Sequence, residues 1–363
     1  MEKGTFFFPG PTEIRSEVLE AMVRQPLPGR TPIFRELFAS LQERLKPVFR
    51  TERPVYICTS SGTGMMEAAV RSAPAGKILS IVGGAFAERF VRIAESCSRE
   101  VQRHDVGYGQ VGDPAEIQDL LAAGGYSALT VVHSETSTGA LSDIAAIAKV
   151  ARDAGVPLIV DSVSGIGGAR FETDDWGVGC VVTASQKAIA VPPGLAFAVL
   201  SEDFLRTAQR GADRGLYLDF VEADSQARNN ETTATPSTSL MFALSYQLDD
   251  IDREGMEARW ARHEAMRKRM EDWVSSARDE LGVDIGILAR PGARSPTVTV
   301  VTLPERLSAP KVVAKLAARG YTIGNGYGPL RGTTFRVGHM GDHTVAELDR
   351  CLALIGESLA EML

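Results

Sequence analysis

This chain has little of what would tie a protein to a membrane, a nucleic acid or a disulfide scaffold. Its four cysteines, Cys58, Cys97, Cys180 and Cys351, lie far apart with no Cys-x-x-Cys pair. That spacing argues against a zinc site and against a disulfide framework, and leaves them as small core residues. No apolar run approaches the length of a membrane span, and the stretch Met1-Glu2-Lys3-Gly4-Thr5-Phe6-Phe7-Phe8-Pro9 lacks the apolar length of a signal peptide. A cytoplasmic protein is expected. Net charge is −7 and the basic residues are scattered, apart from a helix-like stretch at Arg259–Arg269 where they alternate with acids, which speaks against nucleic acid as a partner. There is no internal repeat and no low-complexity tract.

What is present describes a folded enzyme-sized protein. Hydrophobic residues make up 44% and charged residues 23%, values that place the chain among globular rather than disordered proteins. A length of 363 residues exceeds the roughly 250–300 that one core usually serves, so a large domain with a smaller companion is expected.

From Val55 onward, short apolar or β-branched runs alternate with amphipathic ones. Val55–Cys58, Lys77–Val82, Glu100–Val106, Ala128–His133, Pro157–Asp161, Cys180–Ala184 and Ala196–Leu200 read as strands. Gly64–Ser72, Phe86–Ser96, Pro114–Ala123 and Ile144–Ala154 read as the helices between them. This βαβ alternation predicts an α/β fold built on a mainly parallel sheet covered by helices on both faces. A long helix is expected from roughly Asp252 to Asp279, then a strand at Thr297–Leu303 and helices at Ala309–Ala318 and Thr344–Glu361. The expected division is an N-terminal segment, 1–30, that joins the small domain, a large domain, 31–250, and a small C-terminal α/β domain, 251–363.

In such sheets ligands bind beyond the carboxyl ends of the strands, so the loops there are the places to look for chemistry. Thr59-Ser60-Ser61-Gly62-Thr63-Gly64 runs straight into a helix. Glycines, hydroxyls and free N–H groups at a helix start suit a phosphate, although the loop is neither a Walker A sequence nor Gly-x-Gly-x-x-Gly. An ordinary strand-to-helix turn with serine as N-cap is the other reading. Phe86, after Gly83-Gly84-Ala85, is placed to stack on a planar ring or simply to fill the core. The loop His133-Ser134-Glu135-Thr136-Ser137-Thr138-Gly139 is dense in hydroxyls that suit a phenolate oxygen or a cofactor, with His133 fitting a structural histidine.

Asp161 closes the apolar run Pro157–Val160, where a buried carboxylate needs a cation such as a protonated pyridine nitrogen, or else serves as a local cap. Lys187 lies 26 residues later, after another apolar run. Desolvation lowers a lysine pKa, and a neutral amine can form an imine with an aldehyde; a lysine snorkelling from a strand edge is the alternative. Arg336, between Phe335 and Val337, suits bidentate capture of a carboxylate or an interdomain ion pair. His339 and His343 are spaced as metal ligands would be, but with Gly341 between them and no further histidine nearby, no metal is expected.

Taken together, these segments resemble the class V aminotransferases, fold-type I pyridoxal-phosphate enzymes that include alanine–glyoxylate and serine–glyoxylate (serine–pyruvate) aminotransferases. The resemblance spans nearly the whole chain. It rests on Pro9-Gly10-Pro11-Thr12, Ser61-Gly62-Thr63, Glu135-Thr136-Ser137-Thr138-Gly139, Val160-Asp161-Ser162-Val163-Ser164, Ser185-Gln186-Lys187, Pro192-Pro193-Gly194, Thr235-Pro236, Ser295-Pro296-Thr297 and Arg336-Val337-Gly338-His339-Met340-Gly341.

The resemblance implies pyridoxal 5'-phosphate carried by Lys187, with Asp161 on the ring nitrogen and Phe86 stacked where many relatives have tryptophan. It places Ser61, Gly62, Thr63 and Gln186 on the phosphate, Thr136 near the phenolic oxygen and Arg336 on the substrate carboxylate. It also implies a homodimer with shared sites, in which Thr235, or a neighbour such as Thr232 or Thr233, reaches the partner's phosphate. The expected reaction moves an amino group from alanine or serine to glyoxylate or pyruvate, with the Gly10 region forming a small pocket. One departure bears on substrate: many glyoxylate-using relatives have a His-Arg pair where this chain has Gly29-Arg30. Another donor (aspartate, ureidoglycine, an aminophosphonate) or a lyase such as a cysteine desulfurase is the alternative. A desulfurase needs a mobile cysteine late in the chain, and Cys351 falls in a predicted helix.

Overall fold

The protein's structure, a computed structural model, describes residues 4–211 and 214–363. Among these residues two sheets organise the chain. The larger has seven strands in the order Tyr56–Thr59, Leu195–Leu200, Cys180–Ala184, Leu158–Asp161, Tyr126–Val132, Lys77–Val82, Val101–Asp105. Its pairings are parallel except at one edge, where Leu195–Leu200 runs antiparallel to both neighbours. Four of these strands (Lys77–Val82, Leu158–Asp161, Cys180–Ala184 and Leu195–Leu200) are buried at nearly every residue, which explains their continuous rather than alternating apolar runs. Helices Gly62–Ser72, Ala85–Ser96, Pro114–Ala122 and Ile144–Asp153 make the crossovers.

The second sheet has five strands, with Val298–Thr302, Thr334–Gly338 and Thr322–Asn325 at its centre. The short strand Phe6–Phe7 adds to it in parallel with Thr322–Asn325, so the start of the chain is anchored beside its end. A separate apolar cluster including Phe7, Met270, Val301, Leu316, Phe335 and Leu352 packs this sheet against its helices.

One expected element is corrected. The long helix expected from about Asp252 to Asp279 is Met256–Leu281, and a second helix that was not expected, Thr238–Glu254, precedes it and ends at Gly255. Gly255 has φ +75°, a left-handed conformation that glycine adopts without the penalty a side chain would bring. The basic and acidic stretch at Arg259–Arg269 is also less solvated than its charge implies. Arg259 is fully buried, donating to Gly167 O (3.1 Å) and Ala188 O (2.7 Å) while paired with Glu254 (2.9 Å) and Asp342 (3.1 Å).

Candidate active site

Two neighbouring parallel strands supply the central pair of groups. Leu158–Asp161 and Cys180–Ala184 run side by side with Asp161 opposite Val182, so Asp161 and the loop that follows Ala184 emerge at the same sheet edge. Lys187 sits in that loop and is 7% exposed; Asp161 is 3% exposed. Burial lowers the Lys187 amine to about 8, helped by Arg336 and opposed by Asp161. The same desolvation raises the Asp161 carboxyl to about 6, opposed by a 2.8 Å hydrogen bond from Val163 N–H to Oδ1. Its other oxygen, Oδ2, accepts no hydrogen bond among the described residues.

Lys187 Nζ donates to Pro9 O, so the N-terminal segment forms part of the site. Thr12 fastens that segment twice, through its N–H to Gln186 O (2.9 Å) and its hydroxyl to Met340 O (3.0 Å). Gly10 lies directly against the lysine. A Cβ built there would stand 2.0 Å from Lys187 Nζ and 2.4 Å from Cε, and φ is +114°. The absence of a side chain at Gly10 therefore makes room for Lys187 itself, a role that the expectation of a small substrate pocket did not include.

Ser61 caps the helix Gly62–Ser72 by accepting from Gly64 N–H at 3.3 Å, so its hydroxyl serves the helix. The first two N–H groups of that helix, on Gly62 and Thr63, have no acceptor among the described residues, and the side chain of Thr63 is exposed. Close packing of Gly62 against Val163, which a Cβ would approach to 2.5 Å, sets this helix end beside the Asp161 loop. Unpaired N–H groups, a hydroxyl and the positive end of a helix form a cradle for a phosphate. Gln186 is half-buried next to Lys187, and its side-chain amide makes no hydrogen bond among the described residues.

Arg336 reaches the same space from the five-stranded sheet. Its Nε donates to Asn325 O (2.7 Å), one terminal nitrogen donates to Thr136 O (3.3 Å), and the guanidinium lies 5.4 Å from the centroid of the Tyr327 ring. It is 8% exposed and has no acidic partner among the described residues. Burial lowers its pKa, opposed by the charges of Tyr327 and Glu135, neither of which forms an ion pair with it, so the guanidinium has capacity for an added anion. Thr136 shares a short hydroxyl contact with Ser164 beside it.

Three contributors escaped the sequence reading. Glu135, in the hydroxyl loop, is buried and accepts from the N–H groups of Phe86 (3.1 Å), Ala87 (3.0 Å) and Ser137 (3.1 Å). It caps the helix Ala85–Ser96, whose own N-cap, Gly84, offers no side chain. A helix that starts on Gly-Gly without a polar cap is the signal that an acceptor comes from elsewhere. Arg89, one turn beyond Phe86, stacks on that ring at 4.8 Å and donates to Thr63 Oγ1 (3.2 Å) and Tyr327 OH (3.5 Å). Tyr327 lies 5.8 Å from Phe86.

Thr235 lies apart from this cluster, whereas His133 adjoins it, its backbone N–H donating to Asp161 O (2.8 Å). Thr235 is exposed and lines a cavity with Tyr56, Cys58 and Tyr217, and no hydrogen bond within this chain ties it to the cradle among the described residues. His133 bonds Ser162 Oγ (2.9 Å), and burial lowers its imidazole to about 3, which keeps it neutral. His339 pairs with Thr299 Oγ1 (2.8 Å), and His343 stacks on Phe7 at 4.2 Å. Among the described residues no cluster of three or more His, Cys, Asp or Glu is arranged for a metal. Cys351 is buried within the helix Val345–Ala360.

A family model described as aminotransferase class-V matches residues 33–326. The chain is a class V aminotransferase. It is 35% identical to an uncharacterized aminotransferase of Methanocaldococcus jannaschii, across 99% of this chain and 94% of that one. It is 32% identical to the L-aspartate–glyoxylate aminotransferase of Paracoccus denitrificans, across 98% and 90%. The solved alanine–glyoxylate aminotransferase from Nostoc superposes with a TM-score of 0.90 at 28% identity, over 99% of this chain and 96% of that one. The fold is that of the fold-type I pyridoxal-phosphate enzymes, and this aminotransferase depends on pyridoxal 5'-phosphate. The residues present fit that group: an open Asp161 oxygen for a ring nitrogen, a buried amine lowered to about 8 for an aldehyde, and a helix end with unpaired N–H groups for a phosphate. No helix is long and apolar enough to cross a membrane among the described residues.

Proposed function

We propose that this aminotransferase moves the amino group of a small amino acid, alanine or serine, to a small 2-oxo acid, glyoxylate or pyruvate. The observation that carries the reading is the placement of the Lys187 amine within electrostatic reach of both Asp161 and an Arg336 that has no acidic partner. That arrangement suits a substrate with one carboxylate and one α-nitrogen. Glyoxylate as acceptor is supported by the names of two similar proteins, which share it while differing in donor.

Arg336 holds the substrate carboxylate through its free guanidinium face and thereby fixes the orientation of Cα. Bound pyridoxal phosphate supplies an aldehyde that takes up the amino group and a ring that accepts the electron pair left at Cα. Asp161 would keep the ring nitrogen protonated, because its carboxylate otherwise lies buried with one unpaired oxygen. Gly62, Thr63 and Gln186 would hold the phosphate, Thr136 would lie toward the phenolic oxygen, and Phe86, fixed by Glu135, would cover a ring face. Lys187 Nζ, a base at about 8 and therefore partly neutral near neutral pH, would take and return the proton at the substrate Cα. Thr235 contributes to the phosphate site of the partner in a homodimer.

A half-reaction screen over all amino acids tests the reading. Purified protein should be yellow, bleach with alanine or serine, and recover its colour with glyoxylate or pyruvate. Protein whose colour no amino acid alters would overturn the proposal.

A further inference from the structure

Arg259 is a buried arginine for which the reaction above gives no use. It projects from the helix Met256–Leu281 and is 1% exposed. Its ion pairs, to Glu254 at 2.9 Å and to Asp342 at 3.1 Å, are the obvious reason for a cation there, yet neither acid depends on it. Glu254 is also paired with Arg262 at 2.6 Å, and Asp342 with Arg15 at 2.8 Å and with the Gln247 amide at 3.0 Å. Both carboxylates would keep a cationic partner without Arg259. Burying a guanidinium is costly, so its compensation has to come from somewhere else.

Two backbone carbonyls do depend on it. Arg259 Nε donates to Gly167 O at 3.1 Å, and a terminal nitrogen donates to Ala188 O at 2.7 Å. Neither carbonyl has another donor among the described residues. Gly167 lies in the loop that follows Asp161, and Ala188 is the residue after Lys187. These loops meet backbone to backbone: a Cβ at Gly167, where φ is +91°, would stand 3.1 Å from Ala188 C and 3.2 Å from Ile189 N. No hydrogen bond runs directly between residues 162–169 and 185–191 among the described residues. The guanidinium is therefore the clasp between the segment that carries the carboxylate and the segment that carries the amine. Asp342 extends the clasp to Arg15, in the same N-terminal segment whose Pro9 O accepts from Lys187 Nζ.

We infer that Arg259 is a positioning residue for this reaction: by holding Gly167 O and Ala188 O it fixes the Lys187 amine relative to the Asp161 carboxylate. Proton transfer by a side chain is steeply sensitive to such placement. The helix end at Gly62 and Thr63 and the Arg336 guanidinium make no hydrogen bond to Arg259 among the described residues, so binding of phosphate and of substrate carboxylate does not depend on it. The inference rests on the reading that Lys187 and Asp161 act on one bound amino acid.

Hydrogen exchange on the cofactor-free protein and single-turnover bleaching of the holoenzyme test it together. In Arg259→Met, exchange at the Ala190 and Val191 amides, which close the Lys187 loop on Lys187 O and Ser185 O, should quicken at least about tenfold, while the helix Gly62–Ser72 exchanges as in wild type. The limiting rate of bleaching, by whichever amino acid reacts fastest with wild type, should fall about 100-fold, with its half-saturating concentration and the cofactor dissociation constant within about threefold of wild type. Arg259→Lys, able to keep one of the two carbonyls, should lie in between, and it carries the same comparison if the methionine variant does not fold. Glu254→Gln removes one ion pair and leaves both carbonyl bonds, so it should keep the wild-type limiting rate. A Glu254→Gln enzyme as slow as Arg259→Met, faster exchange throughout the protein, or a wild-type limiting rate in Arg259→Met would make Arg259 a structural ion-pair partner and overturn the inference. A wild type that no amino acid bleaches would remove the transamination reading, and the exchange comparison would still decide whether Arg259 holds the Lys187 loop.

Discussion

Replacing Asp161 by asparagine should stabilise the cofactor-free protein while weakening its hold on the cofactor. Burial lifts this carboxyl from an ordinary 3.8 to about 6, so the folded chain carries the cost of an ionised, desolvated group whenever the pH is above that value. Holding the carboxyl near 6 corresponds to about 3 kcal/mol. Asparagine keeps an oxygen to accept the 2.8 Å hydrogen bond from Val163 N–H and carries no charge. The sign is set by linkage. Below pH 3.8 the carboxyl is neutral in both folded and unfolded chains and imposes no penalty. Between 3.8 and about 6 the folded chain binds more protons, so wild-type stability falls relative to the variant as pH rises. Above 6 the gap is constant. Denaturant unfolding of cofactor-free wild type and Asp161→Asn, from pH 4 to 8, should show the variant about 3 kcal/mol more stable at pH 7.5 and nearly equal at pH 4. Saturating cofactor should reverse the order, because only the aspartate binds a protonated ring nitrogen. A variant less stable than wild type in the cofactor-free state, or a gap that does not close at low pH, would refute the assignment of Asp161 as a desolvated carboxylate kept for a cation.

Two further outcomes follow from the same geometry. Gly10→Ala would place a methyl 2.0 Å from Lys187 Nζ at φ +114°, so the lysine must leave its position. The variant should fold, as judged by circular dichroism, but attach cofactor at least about tenfold more slowly by stopped-flow absorbance. Arg336→Gln removes the cation that has no acidic partner among the described residues. It should cost roughly 3 kcal/mol of transition-state binding, about 100-fold in kcat/KM for alanine, while the Lys187–cofactor absorbance stays in place.

The residues whose neighbours are close in sequence were legible. Asp161 ends an apolar run and Lys187 follows one by three residues, and charges placed just at or after such runs mark strand ends at which a ligand can sit. Ser61–Thr63 followed the same logic. What was hidden depends on partners far along the chain. Glu135 caps a helix that starts 50 residues earlier, Arg89 meets Tyr327 across 238 residues, and Pro9 O accepts from Lys187 across 178. Composition and periodicity carry no record of such pairings. Gly10 was legible as small but not as the space its neighbour needs. Gly255 carried a readable stop signal, a glycine able to adopt φ +75°, that the expected helix start at about Asp252 passed over.

The most direct test of the account is where the cofactor attaches. Purified holoenzyme reduced with borohydride, digested and analysed by mass spectrometry should carry a pyridoxyl mass on the peptide containing Lys187, and Lys187→Ala should carry none. A pyridoxyl group on a different lysine of the wild type, or an equally reducible adduct in the Lys187→Ala site, would contradict it.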